Sequence, residues 1–274
     1  MKITILNENT VYRQGLLAEH GLSVVIEERD RKFLMDTGQS DVFLKNAKTL
    51  GVHLEDLDGI ILSHGHYDHC GGMEYLDGSR RLPPVYIQKS AFERKYSGTQ
   101  KDRHYIGMSG SHESWKADVR FTGDAREIAP GFWVIGNIPY RTDFEEPPAG
   151  FWIQDKNGTG TCWRADEMED EQILAVCTKK GLCLFMGCSH RGIVNGILRA
   201  KEVLPDMPVY SVLAGMHLRS AGEKRITDTI RSLRDMEIPV LIPVHCTGKR
   251  AAGRMASAFG DSCIGAETGQ VLEL

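Results

Sequence analysis

Residues 63–72 read Ser63-His64-Gly65-His66-Tyr67-Asp68-His69-Cys70-Gly71-Gly72, with three histidines and one aspartate in six consecutive positions. They directly follow Gly59-Ile60-Ile61-Leu62, an apolar run that is typical of a buried strand. Imidazole and carboxylate groups bind divalent metals. In a tight loop, His64 and His66 can converge on one cation while Asp68 and His69 turn towards a second. The spacing therefore indicates a binuclear metal site; the competing interpretation is a histidine-rich surface loop that binds nothing.

The composition is that of an ordinary globular protein. The chain has 274 residues, of which 41% are hydrophobic, and neither a repeat nor a low-complexity tract divides it. This is enough apolar sequence for a substantial core. We predict one domain over residues 1–274, with irregular inserts at about residues 89–128 and 139–169.

Charge and hydropathy exclude several classes of function. The net charge of −4, with both signs interspersed, gives no reason to expect nucleic-acid binding. No apolar run approaches the roughly 18 residues of a membrane span, and residues 1–9 become polar too early for a signal peptide. Seven cysteines without Cys-x-x-Cys spacing fit reduced thiols. We predict a cytoplasmic protein without nucleic-acid or membrane partners, and the sequence does not indicate its oligomeric state.

Histidine stands at the ends of other predicted strands as well. It occurs as His190 after residues 181–186, as His217 after residues 209–213 and as His245 after residues 240–244. Helical patterns separate strands along the chain, which favours a layered α/β protein. Ligands on distant strands can meet only where strand ends converge, and open α/β sheets place their chemistry at such ends. We therefore predict that these histidines join the first motif in one site.

An acid also follows an early strand. Phe33-Leu34-Met35-Asp36-Thr37-Gly38 ends in a carboxylate, a hydroxyl and a glycine. Asp36 is a candidate to lie behind the metal ligands, in contact with one of them and not with the metal. The alternative is a plain strand-ending turn, since Asp and Gly are common turn residues. The hairpin that leads to this turn, from Leu22 to Asp36, is expected at the edge of a sheet.

The first insert is rich in cations and aromatic residues. An anionic substrate can be held by such side chains, and a flat ring can stack on a tyrosine. The alternative is a solvated face with aromatic stems packed beneath it. The candidate substrate contacts are Lys89, Arg94, Lys95, Lys101 and Arg103, with Tyr96 and Tyr105 for stacking.

The decapeptide and the order of the later motifs resemble the metallo-β-lactamase superfamily, a four-layer αββα sandwich. Within it, the chain is similar to the branch of the 7,8-dihydropterin-6-methyl-4-(β-D-ribofuranosyl)-aminobenzene-5'-phosphate synthases. The resemblance implies that two divalent metal ions are bound, with zinc the first choice and manganese or iron the alternatives. It assigns His64, His66 and His190 to one metal and Asp68, His69 and His245 to the other.

Two departures from the superfamily's pattern affect the expected site. The usual GHxxGH motif is missing, and acidic residues between Asp166 and Glu171 occupy its place. Where a bridging aspartate normally ends a strand, this chain has Cys188 or Ser189. Cys188 is either a soft thiolate ligand or a buried small side chain. Without a bridging carboxylate, the two metals are expected to differ in affinity.

The resemblance implies a metal-dependent hydrolase or phosphotransfer-type enzyme that uses a metal-bound hydroxide. Its expected substrate is an anionic small molecule, pterin-like or nucleotide-like and phosphorylated. Asp68 would be a ligand first and a proton acceptor second, and His217 would contact the substrate. Two other classes stay open: a di-iron redox enzyme, and a metabolite-binding protein with a vestigial metal site.

Overall fold

A computed structural model describes residues 1–76, 82–109, 112–157 and 160–274. Successive side chains along each strand point to opposite faces of the sheet, so one strand can contribute to two hydrophobic layers. In strand β2 (Ser23–Glu28), Val24 and Ile26 pack in the core between two facing sheets. Val25 points the other way, into the layer that contains Phe43 of helix α1 (Val42–Leu50). The same strand thus supplies two hydrophobic layers.

The first sheet has seven strands among the described residues, and three neighbouring strands at its centre run parallel. Its spatial order is β17 (Val271–Glu273), β1 (Lys2–Asn7), β2, β3 (Arg31–Met35), β4 (Gly59–Ile61), β5 (Val85–Ile87) and β8 (Val119–Phe121). The hairpin of β2 and β3 lies inside this sheet, so its expected position at an edge was wrong. The reason is that the C-terminal strand β17 pairs with β1, which the local sequence could not show.

The second sheet has six strands in the described part of the chain, and the first three of them in spatial order run parallel. Its order is β16 (Val240–Val244), β15 (Val209–Gly215), β14 (Gly181–Met186), β13 (Ile173–Thr178), β10 (Phe132–Ile135) and β9 (Ala125–Ala129). Three helices cover its outer face: α3 (Ile193–Val203), α4 (Glu223–Asp235) and α5 (Lys249–Phe259). Together with α1 on the first sheet, they complete the predicted αββα sandwich.

Both stretches predicted as irregular inserts contain strands. Among the described residues, a third sheet has the order β12 (Gly160–Ala165), β11 (Phe151–Asn157), β6 (Arg94–Gly98) and β7 (Arg103–Tyr105). The pairing of β6 with β11 joins residues more than fifty positions apart, so no local pattern reveals it. Residues 110–111 and 158–159 of the two stretches lie outside the described residues.

The helices of the described residues all fall short of the length and hydrophobicity that crossing a membrane requires.

Candidate metal centre

The candidate site lies at the carboxyl ends of parallel strands in both large sheets. Asp36 follows β3, the histidine motif with the short helix α2 (Tyr67–Cys70) follows β4, and the second sheet contributes residues after β14, β15 and β16. The backbone is left-handed at four of these positions, with φ of 56° at Asp36, 48° at Ser189, 48° at His217 and 50° at His245. Each such conformation costs on the order of 1–3 kcal/mol, and strain of this kind concentrates at functional sites.

Two compact groups of possible ligands with only buried members meet there, and a third group, Cys188 with His217 and Cys246, adjoins them. The Asp68 set comprises Asp68, His69, Cys188 and His245, and the His64 set comprises His64, Cys188 and His190. Within each set, one ligand atom per residue lies within 4.8 Å of the others, and every member is buried. Cys188 belongs to both sets, which therefore adjoin one another.

Asp68 is the centre of its set. Its Oδ2 lies 3.3 Å from His245 Nε2 and 3.8 Å from His69 Nε2. His20 Nε2 approaches the same oxygen to 3.2 Å. Cys188 Sγ lies 3.1 Å from His69 Nε2, on the side that faces the His64 set. Three imidazoles thus lie around one carboxylate oxygen, and a thiol contacts one of these imidazoles.

His66 lies against the His64 set without belonging to it. Its Nδ1 is 3.0 Å from His64 Nε2, and its ring centroid is 4.9 Å from that of His190. The predicted grouping of His64, His66 and His190 is therefore spatially close, with Cys188 as the additional neighbour. His217 packs on the same side, because its ring centroid is 4.3 Å from that of His190.

The residues fit divalent metals. Several buried nitrogens in the cluster have no hydrogen-bond partner: His66 Nε2, both ring nitrogens of His190, His217 Nδ1 and His245 Nε2. Buried polar atoms are normally satisfied, and each orphaned one is costly. Imidazole, carboxylate and thiolate together form a donor set suited to zinc or iron. A cation at each set would satisfy His245 Nε2 and one ring nitrogen of His190.

The protonation states agree with this interpretation. Burial, followed by the neighbouring imidazoles, holds the pKa of His64, His66 and His190 well below its usual value. Neutral imidazole is the form that binds metal. Burial alone would raise the pKa of Asp68, but the charge of His69 and the close imidazoles of His20 and His245 lower it well below its usual range.

Asp36 braces the cluster from behind. Its Oδ2 lies 2.6 Å from His69 Nδ1 and accepts a 2.7 Å hydrogen bond from Ser63 Oγ, while Oδ1 accepts the Ser63 N–H at 2.7 Å. Burial opposes protonation of His69, yet Asp36 and Asp68 raise its pKa to about 9. With Nδ1 fixed by Asp36, His69 presents Nε2 to the other ligands.

Replacing Asp36 by asparagine should weaken metal binding about 10–100-fold, since an amide fixes and polarises the His69 ring less well than a carboxylate. Competition with a chromophoric chelator measures this affinity. Asp30→Asn, in the turn at the other end of the β2–β3 hairpin, is the matched control because that side chain is 86% exposed. Equal affinities in Asp36→Asn and the parent protein would contradict the role.

Acidic residues hold the backbone of both metal loops in place of the missing GHxxGH motif. Asp170 Oδ2 accepts the N–H of Gly65 at 2.7 Å. Glu171 accepts the N–H groups of His190 and Arg191 at 2.6 and 2.8 Å. Burial raises the pKa of Glu171 to about 7. The acidic stretch therefore positions ligands instead of supplying them.

A cavity of about 260 Å³ opens onto the cluster. Its walls include Asp68, Cys188, His190 and His245, which connects the ligands to solvent. Other walls come from residues that carry stacking or charged groups: Tyr67, Phe151, His217 and Arg219. A second cavity of about 670 Å³ shares His20, Arg219 and His245 with the first and also contacts Lys249 and Arg250.

The insert residues are not where the hypothesis placed them. Lys89 is exposed and lines neither cavity. The Arg103 guanidinium lies 4.3 Å from the Trp163 ring centroid and donates to the Gln100 carbonyl, again away from the cavity. Tyr96 and Tyr105 pack against each other in the third sheet. Their pairing with distant strands, which determines their orientation, is invisible in the local sequence.

Position 188, and not 189, faces the ligands. Ser189 Oγ donates to Met186 Sδ at 3.7 Å, so this hydroxyl turns back towards its own strand. Sequence reasoning also missed His20 and Arg219. His20 lies in the Glu19-His20-Gly21 segment before β2, which is part of the motif order but suggested no role for the histidine. Arg219 follows His217 by two residues, and its nearness to a candidate ligand was the available signal.

Comparison with known proteins agrees with this architecture. A family model for the metallo-beta-lactamase superfamily matches residues 17–143. The crystal structure of Tm1679, described as a metal-dependent hydrolase of the β-lactamase superfamily, is 33% identical, with a TM-score of 0.87 over 100% of this chain and 99% of that one. This chain belongs to the metallo-β-lactamase superfamily.

Two proteins of Methanocaldococcus jannaschii are also similar to this chain over most of its length. One is named 7,8-dihydropterin-6-methyl-4-(beta-D-ribofuranosyl)-aminobenzene-5'-phosphate synthase and is 27% identical over 98% of this chain and 95% of its own length. The other is an uncharacterized protein, 31% identical over 93% of both chains. The resemblance to the superfamily and to this branch is thereby confirmed.

Proposed function

We propose that this protein is a metal-dependent enzyme, of the hydrolase or phosphotransfer type, acting on a phosphorylated pterin-like or nucleotide-like small molecule. The observation that carries the proposal is the cavity that joins the ligand cluster to Arg219. Its volume of about 260 Å³ suits a small molecule. The relative named as an aminobenzene-5'-phosphate synthase supports a phosphorylated substrate.

The Asp68 and His64 sets are the residues that would hold the metals. When bound, divalent cations supply Lewis acidity and acidify water, which favours attack on phosphorus or carbonyl centres. Asp68 Oδ2 lies against His20 and His245, which would hold it in place as a metal ligand. The His217 ring lines the cavity, and its Nδ1 is free for a substrate oxygen.

In this proposal, Arg219 and Lys249 bind the negative charge of the substrate, in place of the basic residues of the insert at residues 89–128. Arg219 is exposed to both cavities, and Lys249 begins helix α5 in the wall of the larger one. Arginine binds phosphate through paired hydrogen bonds. Tyr67 and Phe151 are aromatic walls of the smaller cavity, and either can contact a flat ring. The proposed substrate therefore combines a planar ring with a phosphate.

Arg219→Gln should raise KM for phosphorylated substrates about tenfold or more, since a hydrogen bond to a charged group is worth about 1.5–3 kcal/mol. KM for a neutral lactone should change little. Lys101→Gln is the matched control, because this exposed lysine belongs to the insert and lines neither cavity. If Lys101→Gln raised KM for the phosphorylated substrate and Arg219→Gln did not, the insert would be the substrate site after all.

The test of the function itself is metal analysis of protein purified without chelator, followed by a substrate screen. The screen should include phosphate monoesters and diesters, pyrophosphates and lactones. Metal content with turnover of a phosphorylated compound is the expected result. Bound metal with turnover of lactones alone would contradict the phosphate assignment.

A di-iron redox enzyme is the second candidate, because two thiols lie in the cluster. Cys188 and Cys246 join His217 in a third group whose ligand atoms lie within 4.8 Å of one another. Soft donors of this kind suit iron as well as zinc. Stoichiometric iron with a visible absorption band in the purified protein would favour this candidate over hydrolysis.

A further inference from the structure

Cys188 occupies a position that no other ligand candidate shares. Its Sγ is within 4.8 Å of ligand atoms in the Asp68 set and also of those in the His64 set. The side chain is buried, with 3% of its surface exposed. It follows strand β14, at the chain position where the sequence lacks the usual bridging carboxylate. One sulfur atom thus lies between two prospective cations.

We propose that Cys188 is a bridging thiolate shared by two metal ions, in place of the bridging carboxylate. The inference rests on the proposed metal-dependent function and specifies its centre. A thiolate sulfur has enough lone pairs to bond two cations at once. Each Cys188 thiol releases one proton to solvent as the two sulfur–metal bonds form, so charge and atoms balance. Thiolate favours zinc or iron over manganese, which narrows the choice of metal.

Two other cysteines near the site lie in different surroundings from Cys188. Cys70 is also buried, but its thiol donates to the His64 carbonyl at 2.9 Å and is satisfied there. Cys246 Sγ accepts the His217 N–H at 3.2 Å and belongs to one group only. Cys188 Sγ instead lies 3.1 Å from an imidazole nitrogen of His69. Among these three, Cys188 alone is placed between both ligand sets.

The test uses cobalt(II) as the probe, because cobalt–thiolate bonds give a charge-transfer band in the near ultraviolet. Chelator-stripped protein is titrated with cobalt while metal content per chain is measured. A bridging sulfur bonds both ions, so the band should grow with the first and with the second equivalent. A terminal thiolate would stop contributing after one equivalent. Growth over one equivalent only, or two bound ions without any band, overturns the bridge.

Cysteine variants show which sulfur atom gives the cobalt–thiolate band. Cys188→Ala should remove the band and weaken the binding of both metals by about tenfold or more, because each ion loses a ligand, while Cys188→Asp should remove the band and retain two metals. Cys246→Ala should keep the band, and so should Cys162→Ala, whose side chain is exposed on β12. A band that disappears in Cys246→Ala and persists in Cys188→Ala overturns the assignment.

The two proposals fail in different ways. Parent protein that binds no cobalt, zinc or iron contradicts the metal-dependent function and the bridge together. Two tightly bound ions with turnover, but with a cobalt spectrum unchanged by Cys188→Asp, contradict the bridge alone. The titration of the parent protein needs no variant, so poor folding of Cys188→Ala leaves the inference open to disproof.

Discussion

Asp68→Ala should lose one of two metals and lower turnover by about a thousandfold or more. Asp68 Oδ2 is within 3.3 Å of both His20 Nε2 and His245 Nε2, and no other carboxylate belongs to the Asp68 set. Without it, a cation at this set would be held by imidazoles and the shared Cys188 thiolate alone. Metal Lewis acidity supplies several kcal/mol to such reactions, and about 4 kcal/mol corresponds to a thousandfold.

The metal ion that stays bound distinguishes the loss of one ligand from general damage to the fold. The His64 set does not contain Asp68, so the ion held there should stay bound in Asp68→Ala. Metal content by mass spectrometry and steady-state kinetics measure the two effects. Asp235→Ala is the control, since this aspartate is exposed at the end of helix α4. Two metals bound with parental affinity in Asp68→Ala would show that Asp68 is not a ligand.

The same reasoning explains which parts of the site the sequence could predict. His64, His66, Asp68 and His69 are close in the chain, so one local pattern was enough to group them. To group His190 and His245 with them, it was enough to expect that parallel strands end at the same edge of a sheet. The strand pattern indicated this. The sequence could not show whether Cys188 or Ser189 faces the ligands, because the left-handed backbone at Ser189 decides which of the two side chains does.

Other features depend on contacts between distant segments. His20 reaches Asp68 only because strand β2 lies beside β3 in the folded sheet. The acidic stretch before β13 stood out in the sequence, but its bonds to Gly65 and His190 cross 105 and 19 residues. Lys95 resembled its basic neighbours in a charged run. Charge pattern alone gives no information on which member of such a run is buried.

Lys95 is in fact among the largest fully buried side chains among the described residues, with 1% of its surface exposed. Its Nζ lies 2.7 Å from Asp166 Oδ2 and 2.9 Å from Asp170 Oδ1. Burial alone would lower the pKa of this amine, but Asp170 and Asp166 raise it above its usual value. Lys95 is therefore a charged structural residue and not a substrate contact. It neutralises the carboxylate that holds the Gly65 N–H.

Lys95→Met should lower the free energy of unfolding by about 3–5 kcal/mol, because it leaves two buried carboxylates without a cation. Urea denaturation measures the loss, and exposed Lys101→Met should stay within about 0.5 kcal/mol of the parent protein. Adding Asp166→Asn to Lys95→Met removes one stranded charge and should recover part of the stability. Asp170 must stay, since its second oxygen binds the metal loop. If Lys95→Met and Lys101→Met were equally stable, the contacts of Lys95 with Asp166 and Asp170 would contribute no net stability. The third sheet would then be coupled to the metal loop by packing alone.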